Sequence, residues 1–156
     1  MVPATFEQAR AQFLRGEQAF EAGRYEDAER AFAASVRLLP GRASSLMNLG
    51  ATRIRLGQHD RAVEVLQAAI PAEPANAEAH GHLATALAES GRPDEALQAA
   101  ATSLQLDPNV GAVWLLQAHL LRERGDVAQA AASYRGAAAR GADPQLVQYA
   151  LGGPGA

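Results

Sequence analysis

The sequence predicts an all-α fold, an array of four helix-turn-helix hairpins closed by a short C-terminal helix, and three observations carry that prediction. Gly23, Gly57, Gly91 and Gly125 stand at a constant 34-residue interval along a chain of 156 residues. Five residues after each glycine comes Ala28, Ala62, Ala96 or Ala130, and Pro40, Pro74 and Pro108 keep the same period. Alanine fills 37 positions and cysteine none, while aromatic residues make up 5%. The core is therefore thin and built largely from the side chain that favours helix most and buries least.

The elements follow in order. Thr5-Phe6-Glu7-Gln8 fits a capping box that opens the first helix. Phe6, Phe13, Phe20, Tyr25 and Phe32 concentrate the aromatic residues in the first hairpin. In the second, Leu46, Leu49, Ile54 and Leu56, then Ala62, Val63, Leu66, Ala69 and Ile70, return at helical intervals. Glycine between the two helices of each hairpin supplies the left-handed residue that ends the first. Pro40, Pro74 and Pro108 stop the second helix before the next begins. Glu26, Asp60 and Asp94 put negative charge in the first turn of the second helices, at the positive end of the dipole. In the fourth hairpin the proline position is Ala142, with Pro144 two residues later. Asp143-Pro144 starts a capping helix over 144–151, through Leu146, Val147, Tyr149 and Leu151, and 152–156 is a linker-like tail whose Gly-Gly-Pro-Gly suggests a domain boundary.

These ladders resemble the tetratricopeptide repeat (TPR) family, whose 34-residue unit carries Gly or Ala at position 8, Ala at 20, a large residue at 24 and Pro at 32. Units 9–42, 43–76, 77–110 and 111–144 place Gly16, Gly50, Ala84 and Ala118 at position 8, and Phe32, Leu66, Ala100 and Tyr134 at position 24. The resemblance implies a right-handed superhelical solenoid and a single domain over 1–151. Small residues at positions 8 and 20 let paired helices approach closely.

Composition removes several functions. With 17 acidic and 14 basic residues the net charge is -3, which argues against nucleic-acid and anionic-membrane binding. No basic segment followed by an apolar run opens the chain, and no apolar stretch is long enough to span a membrane, so a cytoplasmic protein is expected. All 14 basic residues are Arg, a pattern read as codon bias of a GC-rich bacterial genome. Four histidines, His59, His80, His82 and His119, lack the spacing of a metal site, since His80 and His82 diverge on a helix. His80, at unit position 4 where Trp114 stands in unit 4, is expected in the core, and His59 beside a turn is expected in solvent. No phosphate loop or activated nucleophile is present, so neither catalysis nor a cofactor or metal is expected.

What remains is a surface. In TPR arrays the first helices line a concave face, and the resemblance assigns its ligand-facing positions residue by residue. Phe13, Met47 and Leu115 become apolar anchors, Asn48, Arg55, His82, His119 and Arg122 polar contacts, and Glu17 and Glu89 acidic ones. Leu14, Phe20, Ile54 and Leu116 occupy such positions too, but are read as packing helix on helix. The implied function is a non-catalytic protein-protein interaction scaffold binding a peptide or protein segment with basic and apolar groups. A chaperone-tail carboxylate clamp is disfavoured, because its positions here are Phe13, Glu17, Asn48, Glu78 and His82 and only Asn48 matches. Two alternatives stand beside this reading. Residues 143–153 resemble the join in bacterial TPR proteins fused to S-adenosylmethionine-dependent methyltransferases, which implies a targeting or substrate-presenting domain of a larger enzyme. The last hairpin, with Tyr134, Tyr149 and Leu151, offers a contact for weak self-association.

Overall fold

The computed structural model describes residues 1–152, apart from the side chains of Leu146 and Tyr149. Among the described residues there are nine helices and no strand: α1 Ala4–Glu21, α2 Tyr25–Leu38, α3 Ala43–Arg55, α4 His59–Ala69, α5 Ala77–Glu89, α6 Pro93–Leu106, α7 Gly111–Arg124, α8 Val127–Ala138 and α9 Pro144–Leu151. They form two compact units, one spanning Met1–Ala75 and one beginning at Asn76. The linker-like residues 153–156 lie outside the described residues.

Each hairpin turns in the same way. Gly23, Gly57, Gly91 and Gly125 have φ of 71°, 70°, 73° and 90°, the left-handed region that a side chain resists. At the first turn the Gly23 amide donates to the Phe20 carbonyl at 3.0 Å and the Arg24 amide to the Ala19 carbonyl at 2.8 Å, the paired bonds of a Schellman stop. α8 ends likewise at Gly141, φ 89°, with the Ala142 amide donating to the Ala137 carbonyl. A glycine thus replaces proline as the stop in the fourth repeat. Elsewhere proline acts through the residue before it: Leu39 and Asp107 are extended, with φ of -135° and -142°, because a following proline disfavours helix.

Two boundaries differ from expectation. Thr5 does not cap α1; the helix begins at Ala4, and the Pro3 carbonyl accepts from the Phe6 and Glu7 amides. Proline already holds the φ needed there, so the helix opens one residue ahead of the capping box. α4 stops at Ala69, well before Pro74, and Pro71 is the nearer breaker.

In the first unit α1 pairs with α2, α3 with α4, and α2 packs on α3. Gly16 and Gly50 make the close contacts: an added Cβ would lie 2.6 Å from the Phe32 ring and 2.5 Å from Leu66 Cγ. Phe32 and Leu66 are buried at 1% and 0% exposure. The α2–α3 seam is polar as well. Ser35 Oγ donates to the Ala9 carbonyl at 3.0 Å and lies 2.9 Å from Ser45 Oγ, and Arg53 pairs with Glu29 at 3.1 Å in a mostly buried position.

The second unit pairs α5 with α6 and α7 with α8, packs α6 and α5 on α7, and closes with α9 on α8. Asp143 caps α9, its carboxylate accepting from the Gln145 amide at 2.8 Å, with Pro144 in the first turn. Val147 of α9 joins Ala118, Leu121, Ala130 and Tyr134 in a buried cluster. Position 20 holds a buried alanine throughout, at Ala28, Ala62, Ala96 and Ala130.

Candidate functional site

In the first unit, the sequence-derived contacts lie on α1 and α3. Phe13 is half-buried, edge-on to Phe32 with ring centroids 5.7 Å apart, and the Arg42 guanidinium sits 5.0 Å over its ring. Glu17, Met47 and Asn48 are half-buried, and Arg55 is exposed. Arg55 does not swing freely: it donates to the Tyr25 hydroxyl at 2.7 Å and lies 5.0 Å over that ring, which is itself edge-on to Phe20 at 5.3 Å. Cation–π contact and a hydrogen bond together pre-orient the guanidinium. Of the residues expected to pack helix on helix, Phe20, Ile54 and Leu116 are half-buried, whereas Leu14 is 45% exposed.

In the second unit, α7 brings three predicted contacts to one place. Leu115 packs against the cluster around Tyr134, the His119 ring lies 5.5 Å from the Tyr134 ring at 52°, and the Arg122 guanidinium is 6.0 Å from the same centroid. His119 and Arg122 are exposed while Tyr134 beneath them is 1% exposed. Desolvation against this surface, helped by the Arg122 charge and opposed by Glu123, lowers the His119 pKa from its ordinary value. Desolvation also raises the Tyr134 hydroxyl, which is buried without a hydrogen-bond partner among the described residues. On α5, His82 is half-buried with Nε2 3.4 Å from the Glu78 carboxylate, and Glu89 is exposed.

Several expectations change. Tyr134 is core and cannot serve as an exposed self-association contact; Leu151 is 41% exposed, and the side chain of Tyr149 lies outside the described residues. His80 is half-buried rather than core, as is Trp114 at the same position of the fourth unit, whereas Leu46 at that position of the second is buried. Trp114 itself covers Gly136, where an added Cβ would lie 2.6 Å from the ring. His59 is half-buried, with Nδ1 enclosed and unpartnered among the described residues. Gly81, which register alone would put on the ligand face, is buried, its added Cβ meeting Val113 at 3.0 Å. Tyr25 and Arg42, which hold Arg55 and Phe13, escape a reading confined to first-helix positions; the aromatic concentration of the first hairpin was their only signal. Among the described residues, no group of three or more His, Asp and Glu could hold a metal ion. No helix among them is long and apolar enough to cross a membrane.

The tetratricopeptide repeat model matches residues 19–86 and 54–120. The chain belongs to the tetratricopeptide repeat family. A curated relative, the small glutamine-rich tetratricopeptide repeat-containing protein 2 of Mycosarcoma maydis, is 30% identical over 109 residues, 69% of this chain and 31% of the relative. The chain thus spans about a third of that relative's length. Among solved structures, MamA from Desulfovibrio magneticus aligns with a TM-score of 0.79 at 21% identity, over 85% of this chain and 75% of that one. A thermophilic TPR protein of Thermus thermophilus aligns at 0.76 and 21%, over 92% and 79%. An O-GlcNAc transferase of Thermobaculum terrenum aligns at 0.82 and 22%, over 92% of this chain and 28% of the enzyme. At these identities the structures show a shared TPR fold. TPR proteins act in general as protein-protein interaction scaffolds.

Proposed function

We propose that this TPR chain is a non-catalytic scaffold that binds a peptide or protein segment on the face carried by its first helices. The convergence of Leu115, His119 and Arg122 on the Tyr134 ring is the observation that supports this most directly. A rigid buried ring holding an apolar edge and two exposed polar groups is the arrangement of a binding hot spot, because little side-chain entropy is lost on contact. Arg55, held on Tyr25, supports the same reading in the first unit. Glu17, Glu78 and Glu89 favour a ligand that carries basic groups between its apolar anchors.

The reading is tested by titrating a panel of Arg- and Leu-containing peptides against two separate variants, Met47→Glu/Arg55→Glu and His119→Ala/Arg122→Glu, each checked for its helical signal. Affinity should fall by about tenfold or more in at least one variant. Equal affinity in both would remove this face from the account. A second reading, self-association at the end of the second unit, rests on the exposure of Val127 at 71% and Leu151 at 41%. Light scattering that shows a monomer at high concentration would count against it.

A further inference from the structure

A different surface carries a second partner chemistry. Between α1 and α2 lies an open cleft of about 350 Å³ lined by Arg15, Gln18, Arg24, Asp27 and Arg30. Asp27 is the single carboxylate and pairs with both Arg24, at 3.1 Å, and Arg30. Arg15 has no ion-pair partner among the described residues. Three guanidinium groups against one carboxylate leave this cleft positive on a chain whose net charge is -3.

The same cleft recurs three repeat periods later, in the second unit. There a cleft of about 340 Å³ is lined by Arg124 together with Gln117, Leu121, Gln129 and Ser133, the last four being the repeat equivalents of Arg15, Ala19, Asp27 and Ala31. Leu97 also lines it, and Leu97 belongs to α6, the second helix of the preceding hairpin, which packs on α7. The second-unit cleft therefore carries one arginine, paired with Asp94 and Asp126, where the first carries three against a single carboxylate, and a helix already forms one of its walls. Among the described residues, only α1, α2 and the turn between them line the first-unit cleft. The recurrence indicates that a helix suits the cleft, and the arginines indicate its charge.

We propose that the α1–α2 cleft docks an acidic helical segment of a partner protein, seated as α6 is on α7, with its carboxylates on Arg15, Arg24 and Arg30. Bidentate guanidinium–carboxylate pairs, aided by the Gln18 amide, would fix its register. This surface is separate from the first-helix face, so the two can be tested independently.

The test measures fluorescence anisotropy of a labelled helix-forming peptide of Glu, Ala and Leu against the full chain at low salt. The expected result is saturable binding that weakens on adding salt, falls by about tenfold or more in Arg15→Gln/Arg30→Gln, and is unchanged in His119→Ala/Arg122→Glu. Both glutamine variants are at exposed positions, and an unchanged thermal transition confirms that the variant is folded. The proposal is overturned if the same peptide with Gln in place of Glu binds equally. It is also overturned if the arginine variant keeps full affinity, if no binding is detected, or if inorganic phosphate or a single-stranded oligonucleotide displaces the peptide at equal concentration.

Discussion

In the first hairpin, Gly16 of α1 leaves room for the Phe32 ring of α2; in the last, Ala118 stands at the equivalent position beside Tyr134, and the missing side chain has moved to Gly136, beneath Trp114. Both hairpins place a large ring between two helices, but the first draws its space from the first helix and the last draws part of it from the second. The third hairpin uses no ring there, only the buried pair Ala84 and Ala100. What the three crossings share is a small residue on the first helix, Gly16, Ala84 or Ala118, which lets the helices approach, rather than a fixed partner on the second. The surface differs as well: three arginines line the first hairpin's cleft and one, Arg124, lines the last hairpin's.

Exchanging volume at the first crossing should have the largest effect. Phe32→Ala should cost about 3–5 kcal/mol in denaturant unfolding, because a fully buried ring leaves a cavity. Gly16→Ala alone should cost about 1–3 kcal/mol through its clash with that ring, and little or nothing in the Phe32→Ala background. Equal costs of Gly16→Ala in both backgrounds would break the argument from close approach. The last hairpin offers a smaller test. Gly136→Ala should cost about 1–3 kcal/mol by pressing on Trp114, against about 1 kcal/mol for Ala84→Gly, where only helix propensity and a methyl contact are lost. Hydrogen exchange should place the Gly136→Ala effect in α7 and α8, and a loss confined to α5 would contradict it.

The smallest expected effect is on pH dependence. The folded His119 pKa lies below its ordinary value of 6.5, so between those two values the unfolded chain binds more protons than the folded one, and stability rises with pH. It should therefore fall slightly as pH drops through about 6.5. His119→Gln should flatten that component of a urea-midpoint profile, and imidazole NMR of the unmodified chain should show titration below the free value. An imidazole titrating above 6.5 would contradict the placement of His119 against Tyr134 beside Arg122.

Much of the architecture was legible because period and turn chemistry are local. The turn glycines adopt the left-handed conformation at the expected positions, and the position-20 alanines are buried throughout. The candidate site was legible only as a set of positions. Register placed Phe13 and Gly81 at the same unit position, yet one is half-buried and the other is buried against Val113. Helix period gives an angle around one axis, and it does not report the size of the neighbour that the angle faces. The seam serines show the same gap: Ser35 and Ser103 look like ordinary helix residues, but each donates to a carbonyl 26 residues earlier, at Ala9 and Ala77.

The amino-acid sequence by itself determined the hairpin count, the turn positions, the helical class and the family, since each depends on a short pattern repeated at a constant interval. Only the tertiary structure decided that Tyr134 is a buried platform rather than a contact, that Arg55 is held by Tyr25, and that Arg15, Arg24 and Arg30 share one cleft. These depend on which side chains from different helices occupy the same volume, and that is set by packing across the hairpins rather than by spacing along the chain.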